Sequence, residues 1–299
     1  MKADCNDALY VYGFTRAGLA RGFAAQRAAA RTRGGGPPAE VGSGIDEPHP
    51  PFFRRHGRVA GIVSRVWRPQ FCGPAGEENL RDLAWLAARA CRHQAVLARV
   101  MRLGPVLPAR FGTLFSSLAS LDGFLGEHEA AIASFLERVD RHEEWAVKGF
   151  LDPERAQAQW LAGQRLAEPG PPGSSPGAAY LWEQSLRARA RQTIDEELAR
   201  ACEGLFHELR PLALEIVSRR ILERQGAEPA REMVVNWALL LPAAAAADFR
   251  RRLECANGRQ NPGGLAFEVS GPWPPYSFCP VLGTEPARES TLAAQGVPL

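Results

Sequence analysis

The apolar residues of this chain change period several times between its ends, and that alternation restricts it to folds that mix helices with sheets. Leu83, Leu86, Ala90, His93, Leu97 and Met101 recur at helical spacing, and acids open the stretch, so the segment starting at EENL is predicted as one long helix to Met101. Leu118, Leu121, Leu125, His128, Ile132, Phe135 and Val139 step by threes and fours, a continuous seam on a second helix. ALYVYGF (8–14), RVAGIVSRVW (58–67) and EWAVKGF (144–150) are instead rich in aromatic and β-branched residues and are predicted as strands. PVLPARFG (105–112), punctuated by proline, is predicted as an extended segment or edge strand.

The second half repeats the mixture. LAEPGPPGSSPG (166–177) is predicted as a flexible linker. AAYLWEQSL opens a long Arg-rich amphipathic helix to about Leu209, and PLALEIVSRRI (211–221) and REMVVNWALLL (231–241) flank a turn as a hairpin. A helix over 244–256 and a strand over 264–270 follow. With EWAVKGF as its first strand, this half reads β, α, β, β, α, β, the ferredoxin-like order. Residues 16–56, dominated by Ala, Arg, Gly and Pro, read as a long, weakly structured insertion. The fold class expected is therefore α+β in two domains: 1–141 with the insertion at 16–56, a modified ferredoxin-like domain over 142–282, and a tail over 283–299.

Composition narrows the function classes. At 299 residues, 45% hydrophobic, the chain has enough apolar content for two cores. A net charge of +3 is too mild to imply a nucleic-acid or anionic-membrane partner. Lys2 and Lys148 are the only lysines, so the abundance of Arg, alongside Ala and Gly, reads as coding bias rather than a basic patch. MKADCNDALY lacks the apolar run of a signal peptide, and WALLLPAAAAA (237–247) is too short to span a bilayer. The six cysteines include no CxxC pair and none in zinc spacing with histidine, which points to a soluble, reducing, cytoplasmic setting with buried, reduced thiols.

The chemical motifs fail on context. GSSPG (173–177) matches the nucleophile-elbow pattern around Ser175, but it lies in a proline-glycine linker instead of between a strand and a helix. His-Glu occurs at 128, 142 and 207 without a second histidine four residues on, and no phosphate-binding GxxxxGK[ST] exists. RGFAAQ (21–26) sits in Ala-rich sequence, not on a central strand with alternating aromatics, so it carries no RNA-binding role. His93 and His128, on apolar stripes, are expected to be neutral core histidines bonded to main chain; if the two helices pack together, both rings are buried. Glu143 and Glu144 are expected as solvated acids. Nothing here assembles a reaction, and the reading is non-enzymatic, without cofactor or metal.

The remaining stretches carry a resemblance. PVLPARFGTLF (105–115), with Pro108, Arg110, Phe111 and Gly112, follows a helix bearing His93; EEWAVK (143–148) holds Trp145. AAYLWEQ (178–184), VVNWALLL (234–241) and GPWPPYSF (271–278), with Gly271, Trp273, Pro274, Pro275 and Tyr276, come after them in order. Together they resemble the GvpL/GvpF family of gas vesicle proteins over residues 8 to 280. The resemblance implies two domains, no enzymatic activity, and an accessory or minor component of gas vesicles, in the vesicle and cytoplasm. Its partners would be the small hydrophobic shell protein and other gas vesicle accessory proteins, with no nucleic acid and no membrane. The ten residues named are its motif positions and possible partner contacts. A different reading of the same sequence is a ligand-sensing or protein-binding regulatory module on a ferredoxin-like fold. GPWPPYSF itself is expected to form a packed corner that closes the C-terminal domain with Trp273 buried, the other reading being a surface platform. The apolar seam from Leu118 to Val139 is the first expectation for a shell-subunit contact.

Overall fold

The computed structural model describes residues 7–21, 43–46, 48–167, 175–221, 231–260 and 263–283. They divide into two compact units, one built from the chain up to Arg141 together with the segment from Pro274 onward, the other from His142–Trp273. The expected second domain ran on to 282, but the chain leaves this unit at Trp273.

The first unit is an antiparallel sheet in the order β2-β3-β1-β4, with the short β5 also paired to β1. Its strands are β1 (Asp7–Arg16), β2 (Phe52–His56), β3 (Val59–Trp67), β4 (Val106–Pro108) and β5 (Leu114–Phe115). Eight consecutive residues of β1 are buried, because both of its faces are covered. The single helix expected up to Met101 is two: α1 (Gly73–Arg81) and α2 (Leu83–Met101). Asp82 breaks it by taking extended geometry and accepting hydrogen bonds from the amides of Ala84 (2.9 Å) and Trp85 (3.3 Å), so its carboxylate caps α2. Leu83, expected in the stripe, consequently lies 77% exposed at the new helix start. Helix α3 (Leu118–Arg138) starts in a capping box made by Ser117 and Ser120.

These two long helices lie on opposite faces of the sheet, so His93 and His128 are not packed together. Tyr10, Tyr12 and Ile62 face α2 with Val96, Leu97 and Val100. On the other face Gly61 lies under Leu121, and Phe14 stacks on Phe124. The α3 seam is consumed in that packing: Leu121, Leu125, Ile132, Phe135 and Leu136 are all buried. A flank of ion pairs runs beside it, Arg54 gripping Asp122 through two hydrogen bonds, Arg58 with Glu129 and Arg16 with Asp140.

The expectation of an insertion over 16–56 is corrected at both ends. β1 runs through Arg16, and β2 pairs with β3 across a turn at Gly57. Between them Ile45 is fully buried. Its amide donates to the Tyr12 hydroxyl (2.6 Å), its carbonyl accepts from Arg92 (3.1 Å), and Asp46 pairs with Arg89, whose guanidinium lies 3.9 Å over the Trp85 ring. Only 22–42 and residue 47 of that stretch lie outside the described residues.

The second unit contains β6 (His142–Leu151), α4 (Pro153–Ala167), α5 (Pro176–Leu209), β7 (Glu215–Ser218), β8 (Glu232–Pro242), α6 (Ala246–Gln260) and β9 (Leu265–Trp273). The sheet is antiparallel in the order β7-β8-β6-β9. Its core joins Trp145, Val147 and Leu151 of β6 to Leu205 and Leu209 of α5, Leu239 of β8, and Phe249 and Leu253 of α6. Ser175 is the N-cap of α5, accepting from the amide of Ala178 (3.3 Å), which gives its hydroxyl a local structural partner. Glu144, expected in solvent, is buried at 3% exposure, within a run of four buried residues on a strand flanked by β8 and β9. Among the described residues, Cys72, Cys91 and Cys255 are free and exposed, contrary to the buried thiols expected, because each sits on the outward side of its helix or helix start.

Candidate functional site

The motif residues gather at two places, one in each unit. In the first, β1 supplies Tyr10 and Tyr12, α2 supplies His93, and the loop after β4 supplies Phe111 and Gly112. The register of β1 shifts between Val11 and Gly13, where the Tyr12 hydroxyl turns to Ser64 (2.9 Å) and Ile45. The PARFG segment is held by the amide of Ala109 donating to the Tyr12 carbonyl (2.9 Å) and that of Val11 donating to the Thr113 carbonyl (2.9 Å). Gly112 takes φ 82°, a left-handed conformation that favours glycine, and its amide lies 3.4 Å from the Tyr10 hydroxyl. Phe111 closes edge-on against Tyr10 and His93, with ring centroids 6.1 and 6.0 Å away.

The segment from Pro274 supplies the remaining partner. Pro274 and Pro275 are buried, and a turn brings Tyr276 round, its amide bonded to the Pro274 carbonyl (2.7 Å). His93, 1% exposed, thereby has a hydroxyl at each ring nitrogen: Tyr10 at 2.7 Å from Nδ1 and Tyr276 at 3.1 Å from Nε2. In a neutral imidazole one nitrogen donates and the other accepts, and a tyrosine hydroxyl can serve either. Its bonding therefore relies on hydroxyls 83 and 183 residues away. Burial pushes His93 down to about 4, against a smaller opposing pull from the Ala109 main chain. Burial also pushes Tyr12 up to about 12 and Tyr10 well above the usual phenol range. At neutral pH the centre is thus uncharged. Phe278, also buried, and Arg138, which donates to its carbonyl (2.6 Å), fix the end of this segment, while Cys279 lies 3.9 Å from the Pro108 carbonyl.

The second place is Trp145 on β6. Its ring lies between Phe249 (centroids 5.8 Å apart) and the guanidinium of Arg250 at 4.6 Å, and its indole N–H donates to Glu143 (3.1 Å). Gly271 has φ 142°, and a Cβ there would stand 3.0 Å from both the Glu144 carbonyl and the Trp145 ring. The glycine is required twice, by conformation and by the closeness of the indole.

Trp273 corrects the expected corner. It lies 38% exposed, with its indole N–H on Ser270 (3.1 Å). β9 continues through Pro272 to Trp273, instead of ending at Gly271, since an edge strand tolerates a residue without an N–H. The residues that do pack, Tyr276 and Phe278, do so in the first unit. Of the ten motif positions, Arg110 and Trp273 are exposed; the other eight are buried or half-buried. Tyr10 escaped the sequence reading as a site residue, although its place among strand aromatics was the available signal. Among the described residues, no cluster of three or more His, Cys, Asp or Glu could hold a metal ion, and no helix is long and apolar enough to cross a membrane.

Fold and site together define an α+β protein in which eight of the ten motif residues are committed to packing and to an uncharged hydrogen-bonded centre. The comparisons with known proteins show its family. The family described as "Gas vesicle synthesis protein GvpL/GvpF" matches residues 8–280, and the chain belongs to that family. It is 29% identical over 230 residues to gas vesicle protein L of Streptomyces sp. (strain CB03234), covering 77% of this chain and 83% of that one. It is 23% identical over 206 residues to gas vesicle protein L2 of Halobacterium salinarum, covering 66% and 73%. Its fold matches the crystal structure of gas vesicle protein GvpF from Anabaena sp. PCC7120 with a TM-score of 0.60 at 16% identity, over 92% of this chain and 97% of that one. GvpF from Microcystis aeruginosa matches at 0.59 and 16%, over 91% and 98%. Membership implies a role in gas vesicle formation.

Proposed function

We propose that this chain is a non-enzymatic assembly protein that binds the small hydrophobic gas vesicle shell subunit and delivers it to the growing vesicle. It would act in the cytoplasm and at the vesicle, among other gas vesicle accessory proteins. The observation that carries the reading is the family match over residues 8–280, which takes in both units. In the same reading the second unit is a modified ferredoxin-like domain. Support comes from its β, α, α, β, β, α, β course, where a pair of helices, α4 and α5, stands in place of the single first helix of the ferredoxin-like order, and from its antiparallel order β7-β8-β6-β9, in which the first and third strands lie side by side at the centre.

A shell-subunit contact needs apolar surface that the protein's own core has not used. The α3 seam is buried, so the contact expected there moves elsewhere. AAYLWEQ is the motif whose apolar residues remain outside: Tyr180 and Leu181, on the first turns of α5, are 63% and 69% exposed. We place the contact there, with Arg110 and Trp273 as the motif residues available to a partner and the other eight as supports. Such a contact is driven by apolar burial and changes little with salt.

The test is co-expression of the tagged full-length chain with the shell subunit and pull-down at low and high salt. Retention at both is expected. Replacing Tyr180 and Leu181 by serine should abolish retention while leaving stability within ~0.5 kcal/mol, as for substitutions outside the core. Failure of the unaltered chain to retain the subunit at either salt would sink the reading.

A further inference from the structure

β9 is an edge strand, paired on one side with β6 alone, and an open edge of this kind is a template for another chain. Its outer side is occupied in an unusual way. The amide group of Asn257, on α6, accepts from the Phe267 N–H through Oδ1 (2.7 Å) and donates through Nδ2 to the Phe267 carbonyl (2.8 Å). One side chain thus makes both hydrogen bonds that a neighbouring strand would make at that residue. In an antiparallel pair the main-chain groups of successive residues face alternate sides, so Leu265, Phe267 and Val269 turn theirs outward while Ala266, Glu268 and Ser270 turn theirs to β6. Asn257 therefore sits on the middle one of three outward pairs.

The carrier is firmly placed. Leu253 and Ala256, in the turn leading to Asn257, bury α6 in the core, and Arg252 donates to the Glu208 carbonyl (2.7 Å) while Arg259 reaches its carboxylate (2.8 Å). Further along β9, Pro272 has no N–H, and Gly271 leaves extended geometry at φ 142°. Between the amide at Phe267 and the proline at 272, Val269 is the one outward pair left, beside a side chain 40% exposed. A single pair is too short a ladder to recruit a strand.

We propose that Asn257 is a strand mimic that closes the outer edge of β9, and that without it two copies of this chain pair edge to edge through β9. The device suits a protein that must meet apolar chains without zipping to them, but it rests on the hydrogen bonds at Phe267 and not on the shell-subunit reading. Removing the amide joins Leu265, Phe267 and Val269 into a continuous open edge, and antiparallel pairing of two such edges buries Val269 of both copies.

The test uses the full chain. Asn257→Ala should raise the apparent mass toward that of a dimer or larger species in a concentration-dependent manner by light scattering, and should speed amide exchange at Phe267 in dilute samples at least tenfold over the unaltered chain. Asn257→Ala combined with Val269→Pro, which removes the next outward N–H, should return to the unaltered mass. That reversal separates edge pairing from aggregation of unfolded chain, because the second substitution cannot improve folding. An Asn257→Ala variant whose mass and Phe267 exchange both equal those of the unaltered chain overturns the proposal. So does association that Val269→Pro leaves in place.

Discussion

The Trp145 corner and the His93 centre are each built from aromatics, a glycine forced into positive φ and a neighbouring strand, yet they hold together by different means. Around Trp145 the binding forces are mainly dispersion, apolar burial and a guanidinium over a ring, which demand no single arrangement of donors, with the indole bond to Glu143 as a directional addition. Around His93 two hydroxyls meet two ring nitrogens inside a buried aromatic cluster, where any misplaced group would be left unbonded. The first kind of centre supplies much stability and tolerates adjustment; the second supplies less and fixes geometry. The segment from Pro274 draws on both kinds of hold: Pro274, Pro275 and Phe278 are buried, and the Tyr276 hydroxyl at His93 fixes where the segment lies.

The largest effect expected from breaking this contrast is at the apolar corner. Trp145→Ala removes a ring 3% exposed and should cost about 4 kcal/mol, read as a shift of the urea midpoint without change of slope. A loss below about 1 kcal/mol would mean that the corner is not a main support of its unit.

The next is a pH effect confined to the polar centre. His93 in the folded chain holds its proton only below about 4, against about 6.5 when unfolded, so the unfolded chain takes up the proton first as pH falls. The contribution is complete above pH 6.5 and is lost on going down to pH 4, in total about 3 kcal/mol. Denaturation at pH 7 and pH 4.5 should show the unaltered chain losing more stability than His93→Gln, which has no ring to protonate. Equal losses would place the ring nitrogens in contact with water.

The smallest effect sharpens the boundary of the corner. Trp273→Ala, at a ring 38% exposed, should change stability by less than about 1 kcal/mol, and its fluorescence contribution should be readily quenched by acrylamide. A loss near that of Trp145→Ala would restore Trp273 to a core.

How much of this could be read from residue order depends on the range of the forces involved. The helical stripes of α2 and α3 and the strands β1, β3 and β6 were legible because burial repeats locally at 3.6 or 2 residues. The break at Asp82 was not, since a capping side chain competes with a stripe that continues through it. Ile45 was hidden because one buried residue in an Ala/Gly/Pro-rich tract makes no period; its partners Tyr12, Arg89 and Arg92 lie elsewhere in the chain. α4 has no clear signal in the sequence, because the proline-glycine linker beside it dominates its surroundings. At the site, PARFG and GPWPPYSF were each visible as unusual, but their meeting at His93 spans 183 residues and has no local trace. Trp273 is not legible because proline signals the end of a strand in sequence, whereas at an edge it merely leaves one hydrogen bond unmade.

The Arg–carboxylate pairs beside α3 give its attachment two components that respond oppositely to the medium. Arg16, Arg54 and Arg58 reach Asp140, Asp122 and Glu129 from partly solvated positions, and at ~1 M salt, where screening acts within about 3 Å, that flank loses most of its hold. The stripe from Leu121 to Leu136 has no charge to screen, and excluded salts such as sulfate tighten it. Brine and dilute buffer would therefore grip the same helix by different sides, and its loosest state should fall at intermediate concentrations of a weakly excluded salt, where the ionic flank has faded and the apolar one has not yet gained.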